Sequence, residues 1–93
     1  MTTPTIYTTE NCQQCRSTQR WLRDKGIPFK IDDATEPGNL AAIKALGYRA
    51  APVIVYGPTE NAPDTISFSG FDPGSLEHLR RAFEADHPQE NLS

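Results

Sequence analysis

The sequence has no apolar run close to the roughly 20 residues that a membrane-spanning helix needs. Its first residues, MTTPTIYTTEN, also lack the basic segment and long apolar core of a secretory signal. We therefore expect no membrane association and take a cytoplasmic location as the default. Because thiols stay reduced in the cytoplasm, a purely structural disulfide is not expected.

A basic cluster is also missing from the sequence. The net charge is −3, and the lysines and arginines are scattered along the chain. A nucleic-acid interface needs positive side chains concentrated on one face, so we expect no nucleic-acid partner. Apolar residues make up 37% of the chain and charged residues 23%, which is a balance typical of a folded protein.

The length of 93 residues fits one small domain, and we find no repeat or linker that would divide residues 1–93. We expect a monomer. The residues from 86 to 93 are polar, and we predict that this tail frays.

Apolar spacing and turn residues predict seven elements in the order β-α-β-α-β-β-α. Strands are expected over residues 5–8, 29–32, 52–56 and 65–69, and helices are expected to begin after Asn11, near Thr35 and Pro37, and after Asp72. The first βαβ unit requires a parallel strand pair, and the last two strands can form an antiparallel hairpin. The prediction is an α/β fold with a four-stranded mixed sheet and helices on both faces.

The faces of the predicted elements follow from the same spacing. Cys15, Thr18 and Leu22 share one face of the first helix, and Leu76, Leu79 and Phe83 share one face of the third. The second helix is expected to bury Leu40, Ile43 and Leu46, and the strand over 29–32 alternates as a half-buried strand does.

The only two cysteines, Cys12 and Cys15, are three residues apart where a strand gives way to a helix. A structural zinc site needs four ligands, and His78 and His87 are nine residues apart, so we expect no metal. A stabilising disulfide is also poorly placed here, because closing so small a loop removes little chain entropy.

A redox pair accounts for the position of the cysteines. The start of a helix favours a thiolate at Cys12, and only the thiolate attacks a disulfide. Cys15, one turn further along, can then attack the sulfur of Cys12 and release the reduced partner. A CxxC pair in a βαβ context indicates a thioredoxin-like site.

The Ala51–Pro52 step opens the most apolar strand, where a proline cannot donate a hydrogen bond. A cis peptide would present the backbone of Ala51 to a bound extended segment. From the residues alone an ordinary trans proline is favoured, because only about 5–6% of X-Pro bonds are cis.

Three segments together resemble the glutaredoxin-like proteins of the thioredoxin fold, and specifically the NrdH-redoxins. They are IYTTENCQQC (Ile6 to Cys15), ALGYRAAPV (Ala45 to Val53) and SGFDP (Ser69 to Pro73). The resemblance implies a cis bond at Pro52, with Cys12 as the attacking thiol and Cys15 as the resolving thiol. We expect partners to bind near Gln13, Gln14, Ala51, Pro52, Gly70 and Phe71. Gln14, Gly70 and Phe71 match the motifs of the family, whereas Gln13 is expected to be exposed between the cysteines.

The same resemblance implies a function and two partners. NrdH-redoxins supply electrons to class Ib ribonucleotide reductase and are recharged by NADPH-dependent thioredoxin reductase. No bound cofactor is expected beyond the redox-active disulfide.

Two other functions remain open from the sequence. Glutathione-dependent glutaredoxins usually carry a basic residue shortly before the first cysteine, where this chain has Glu10 and Asn11, although Arg16 or Arg49 could replace that charge. The second alternative is a redox-sensing regulator, because the stretch from Ile6 to Phe29 also resembles the start of the Spx and arsenate-reductase family, in which regulators bind RNA polymerase.

Two features depart from the NrdH pattern. Phe68 stands where a tryptophan is common, and the stretch from Tyr56 to Ile66 is longer than the usual turn. We expect both near the partner-facing end of the fold.

Overall fold

The computed structural model describes residues 2–88, and the elements follow the predicted order. The strands are β1 (Thr5–Thr8), β2 (Lys30–Asp33), β3 (Val53–Tyr56) and β4 (Ile66–Ser69). The helices are α1 (Gln13–Asp24), α2 (Pro37–Ala45) and α3 (Pro73–Asp86). No helix within residues 2–88 is long and apolar enough to cross a membrane.

The sheet has the strand order β2-β1-β3-β4. β1 is parallel to β2, as the α1 crossover requires, and β3 is antiparallel to both β1 and β4. Because β1 and β3 run in opposite directions, the end of β1 and the start of β3 lie at the same end of the sheet, where Tyr7 pairs with Val53. That end of the sheet therefore holds both the cysteine segment after β1 and Pro52 before β3.

The core is divided between the two faces of the sheet. On one face Ile6 and Ile54 are buried against α1 and α3, together with Leu22, Leu76, Leu79 and Phe83. On the other face Val53 is buried against Ile43 of α2. The predicted faces of α1 and α3 and the placement of helices on both sides of the sheet are confirmed.

Two predicted apolar faces are less buried than their patterns indicate. Ile31 is 49% exposed because β2 is an edge strand with a neighbour on one side only. On α2 only Ile43 is buried, while Leu40 and Leu46 are 39% and 49% exposed. Within residues 2–88 this nine-residue helix is the only one on its face of the sheet, so no second helix there covers its flanks.

The turn between β3 and β4 is folded and lies at the end of the sheet away from the cysteines. Thr59 and Ala62 exchange two backbone hydrogen bonds of 3.0 and 3.2 Å. Our prediction that this stretch lies near the partner-facing end is wrong, because β3 carries the chain away from Pro52 before the turn begins. Phe68, the other departure from the NrdH pattern, is buried in the core and contributes no partner-facing side chain.

The end of α3 holds this turn in place. The Asp86 carboxylate accepts hydrogen bonds from the Tyr56 hydroxyl and from the backbone and side-chain N–H groups of Asn61, the latter two at 3.1 and 2.7 Å. His87 follows and is buried, with its ring stacked 4.2 Å from that of Phe83. The predicted fraying is therefore wrong for residues 86 and 87, and residues 89–93 lie outside the described part of the chain.

The charge state of this cluster is well defined. Burial raises the pKa of Asp86, but the hydrogen-bond donors around the carboxylate outweigh burial and lower the pKa to about 2. Burial and the nearby carboxylate raise the pKa of Tyr56 above its ordinary value, so the hydroxyl stays a donor. The pKa of an aspartate in the unfolded chain is about 3.9. The stabilisation that the ionised Asp86 contributes is therefore fully present above that pH and is lost as the pH falls through about 2.

We predict that Asp86→Asn lowers the free energy of unfolding by about 1 kcal/mol at neutral pH, because the amide has no charge and accepts fewer hydrogen bonds. The difference from wild type should shrink as the pH falls from about 4 to about 2, because the carboxylate of the unfolded chain takes up a proton in that range while the folded one stays ionised down to about 2. Urea unfolding across that range measures it, with Asp64→Asn, an exposed acid in the same turn, as the control. A difference that is unchanged at the acid end would contradict the assignment.

Candidate redox site

The two cysteines lie where β1 passes into α1. β1 ends at Thr8, and Asn11 adopts a left-handed backbone conformation with φ of 56°. Cys12 is extended and caps the helix through its own sulfur, so our prediction of Asn11 as the cap is wrong by one residue. Asparagine tolerates positive φ better than most residues, which explains why this residue type occurs at the bend.

Cys12 and Cys15 form a disulfide, with their Cα atoms 5.2 Å apart. The backbone N–H of Cys15 donates a hydrogen bond of 3.1 Å to the sulfur of Cys12. Cys12 is half-buried, whereas Cys15 is only 2% exposed. A molecule that approaches the disulfide from solvent can therefore reach Cys12 but not the buried Cys15.

The Ala51–Pro52 peptide bond is cis, as the resemblance implies and contrary to the preference drawn from the residues alone. Pro52 is fully buried and Ala51 is half-buried. The register of β1 and β3 places this loop beside the cysteine segment. The structure thus brings together two sequence segments that are separated by the whole β2–α2 unit.

A third segment, the turn at residues 69–71, is fastened to both of the others. The backbone N–H of Gly70 donates to the carbonyl of Pro52 at 2.9 Å, and the Ser69 hydroxyl donates to the carbonyl of Ala50 at 2.8 Å. The backbone N–H of Phe71 donates to the side-chain oxygen of Gln14 at 3.0 Å. Gly70 and Phe71 therefore lie at the site, as expected, and hydrogen bonds fix them there.

Gln14 is the residue that joins α1 to this turn. Gly70 has φ of 83°, and a Cβ atom added to it would lie 3.1 Å from the Gln14 oxygen, so glycine suits both the conformation and the close contact. Gln13 is exposed between the two cysteines. Gln14 is placed at the site by resemblance alone, and the contribution of Ser69 is not predicted, because no local pattern shows which residues hydrogen-bond across the site.

A small groove of about 180 Å³ runs beside the cis-proline loop. Its lining is mostly apolar and includes Leu40, Ile43 and Ala51, with Arg49 as its one charged residue within the described part of the chain. An extended segment that pairs with the backbone of Ala51 would pass this groove.

A second depression, with acidic side chains in its lining, adjoins the groove, since the two share Thr9 and Thr35. Glu10 and Asp33 line a polar depression next to Thr9, just before the cysteines. Hydrogen bonds from the side chain and backbone of Thr35 lower the pKa of Asp33, so this carboxylate is ionised at neutral pH. The approach to Cys12 from this side therefore carries negative charge.

Of the two histidines, one lies in α3 and the other at its C-terminal cap. His78 is exposed on α3, while the Nδ1 atom of His87 lies 2.9 Å from the Phe83 carbonyl. Residues 2–88 contain no group of three His, Cys, Asp or Glu side chains that could hold a metal ion.

Comparison with known proteins gives one consistent family. Residues 5–59 match the glutaredoxin family. The glutaredoxin-like protein NrdH of Lactococcus lactis is 36% identical over 81% of this chain and 96% of its own length. NrdH of Escherichia coli is 33% identical over 84% of this chain and 89% of its own.

Solved structures agree with that assignment. The structure of Escherichia coli NrdH-redoxin superposes with a TM-score of 0.69 at 32% identity, covering 82% of this chain and 92% of that one. A glutaredoxin from Archaeoglobus fulgidus gives a TM-score of 0.64 at 20% identity, covering 87% and 88%, and shows the shared fold. The paired cysteines at the start of α1, the cis-proline loop and these matches show that the chain belongs to the glutaredoxin family as an NrdH-type glutaredoxin-like protein, a thiol–disulfide oxidoreductase.

Proposed function

We propose that the protein donates electrons to class Ib ribonucleotide reductase and is recharged by thioredoxin reductase at the expense of NADPH. The observation that carries this proposal is the accessible sulfur of Cys12, bonded to the shielded Cys15 in a chain similar to NrdH proteins. The structure of the Escherichia coli relative is described in terms of a thioredoxin-like activity profile, which supports the choice of reductase. In this proposal the protein acts in the cytoplasm as a monomer, without a bound cofactor.

The reaction is a two-step exchange. The Cys12 thiolate attacks one sulfur of the partner's disulfide, which breaks that bond and leaves a mixed disulfide while the partner's other sulfur leaves as a thiolate and takes up a proton. The Cys15 thiol then loses its proton and attacks the sulfur of Cys12. The bond to the partner breaks, the partner leaves as a dithiol, and the Cys12–Cys15 disulfide forms.

Two features of the site favour Cys12 as the attacking thiolate. Its sulfur already accepts a hydrogen bond from the Cys15 N–H, and it lies at the positive end of the α1 dipole. The burial of Cys15 suits the second step, because a shielded sulfur meets only the neighbouring mixed disulfide. Recharging by a reductase follows the same steps in reverse order.

The surface around Cys12 provides the contacts with partners. Gln13 is exposed beside the sulfur, and Phe71 exposes 37% of its surface at the end of the fastened turn. Ala51 and Pro52 form the loop along which an extended partner segment would lie, and Gln14 and Gly70 hold the turn in position.

A glutathione-dependent activity is the second candidate, and Arg49 is the observation in its favour. Its side chain lines the groove beside Ala51, where it could bind a carboxylate of the peptide. The ionised Asp33 and the nearby Glu10 repel an anionic peptide, which favours thioredoxin reductase as the reductant.

We predict that Cys12→Ser abolishes disulfide reduction, because the attacking sulfur is gone. Cys15→Ser should instead accumulate a mixed disulfide with the partner, since no resolving sulfur remains. Mass spectrometry of the non-reduced products detects the adduct. A normal turnover rate in Cys12→Ser, or no adduct in Cys15→Ser, would refute the assigned roles.

We predict that thioredoxin reductase with NADPH sustains turnover, and that glutathione with glutathione reductase does so at least roughly tenfold more slowly, as expected from the unfavourable charge near Cys12. Consumption of NADPH at 340 nm measures both with the same disulfide substrate. In a matched pair, Glu10→Lys should raise the rate with glutathione. Glu60→Lys changes an exposed residue at the opposite end of the sheet and should not raise that rate. Faster turnover with glutathione in the wild type would select the second candidate.

We predict that Phe71→Ala slows the reduction of a protein disulfide about tenfold but leaves the rate with a small disulfide unchanged, because the ring contacts the partner surface and takes no part in the exchange. Leu46→Ala removes another exposed apolar side chain, on the α2 side, and is the control. Equal losses in the two variants, or an equal loss with both substrates, would contradict a partner contact at Phe71.

A further inference from the structure

Three arginines form a stripe on the solvent face of α1. Arg16, Arg20 and Arg23 are spaced four and three residues apart, so they lie on one side of the helix, and all three are exposed. We call these three residues the arginine stripe. The basic residues are scattered along the sequence, but helix geometry brings these three together.

The arginine stripe is not explained by the stability of α1. The first turn of the helix contains no acidic residue, and Arg16 follows it near the positive end of the helix dipole, where a cation is unfavourable. The only acidic residue of α1 is Asp24, at its end. None of the three arginines forms a salt bridge within residues 2–88.

Only Arg23 has a structural role that the contacts show. It donates to the Gln19 side chain at 3.3 Å, lies 5.6 Å from the centre of the Phe29 ring, and occupies the last turn, where a cation is favourable. Within residues 2–88 Arg16 and Arg20 have no such contact, so the end of the arginine stripe nearest the cysteines is the part without a structural explanation.

The position of the arginine stripe connects it with the redox site. It begins one residue after Cys15 and extends along α1 for about 16 Å from Cys12, given a rise of about 1.5 Å per residue. A span of that length corresponds to roughly five residues of an extended chain. A partner segment that reaches Cys12 can therefore lie along the arginine stripe in the same complex.

The surrounding charge indicates what kind of segment fits. The net charge of the chain is −3, and Glu10 and Asp33 carry negative charge in the depression formed by the segment before Cys12, whereas the arginine stripe follows Cys15 on α1. The site thus divides into an acidic side and a basic side. A polyanion such as a nucleic acid would meet repulsion across the acidic side, whereas a short acidic peptide can lie on the basic side alone.

We propose that the arginine stripe docks an acidic segment of the partner protein that lies next to the partner's reactive disulfide. This inference deepens the proposed function, because it assigns a chemical character to the partner of the same site. Docking here orients the disulfide toward Cys12 and raises the rate of encounter, while the sulfur exchange itself is unchanged.

The test uses three synthetic peptides that share one internal disulfide and differ only in their flanks, which are aspartate-rich, serine-rich or lysine-rich. The protein is first reduced with dithiothreitol and freed of it, and the rate of peptide reduction is followed by stopped flow at low salt. We expect the acidic peptide to be reduced roughly tenfold faster than the basic one, and the gap to close near 1 M salt.

Two variants separate local docking from net charge. Arg20→Glu lies two turns from Cys12 and should remove most of the preference for the acidic peptide, measured as the ratio of its rate to that of the serine-rich peptide. Lys44→Glu makes the same change in net charge on α2, on the other face of the sheet, and should keep the preference. Circular dichroism confirms that both variants fold.

Equal rates for the acidic and basic peptides in the wild type would overturn the proposal, and so would an equal effect of Arg20→Glu and Lys44→Glu. A single-stranded DNA oligonucleotide that competes as strongly as the acidic peptide would also overturn it. The assay needs neither thioredoxin reductase nor ribonucleotide reductase, so its result is independent of whether those two partners are the correct ones.

Discussion

The hydrogen bond from the backbone N–H of Cys15 to the sulfur of Cys12 is the contact on which the redox chemistry depends. It exists because the chain turns from β1 into α1 at Cys12, so the sulfur takes the place that a side-chain oxygen holds in most helix caps. The same geometry places Cys15 on the buried face of α1. One structural feature, the start of the helix, therefore makes one sulfur accessible and shields the other.

The rest of the site is assembled from segments that are distant in sequence. Antiparallel pairing of β1 and β3 brings the cis-proline loop beside the cysteines, and the turn at 69–71 is bonded to both through Pro52 and Gln14. At the opposite end of the sheet, Asp86 fixes the longer β3–β4 turn. That turn lies away from the sulfurs, and its hydrogen bonds to Asp86 hold it against the end of α3.

The sequence predicts the order of elements, the cysteine pair and the main core because local spacing determines them, as in the buried faces of α1 and α3. It does not predict the exposure of Ile31 and Leu40, which depends on which strand lies at the edge and on how many helices share a face. The cis bond at Pro52 follows only from the resemblance. The hydrogen bond from Phe71 to Gln14 joins residues 57 positions apart, and the hydrogen bond from Tyr56 to Asp86 joins residues 30 positions apart. No local pattern in the sequence carries that information.

The most direct measurement of the central claim is the site of alkylation in the reduced protein. Brief treatment with iodoacetamide at neutral pH, followed by peptide mass spectrometry, compares the two sulfurs within the same molecule. The account predicts rapid modification of Cys12 and little of Cys15, because one sulfur is accessible and favoured as a thiolate while the other is buried. Faster modification of Cys15, or slow and equal modification of both, would contradict it.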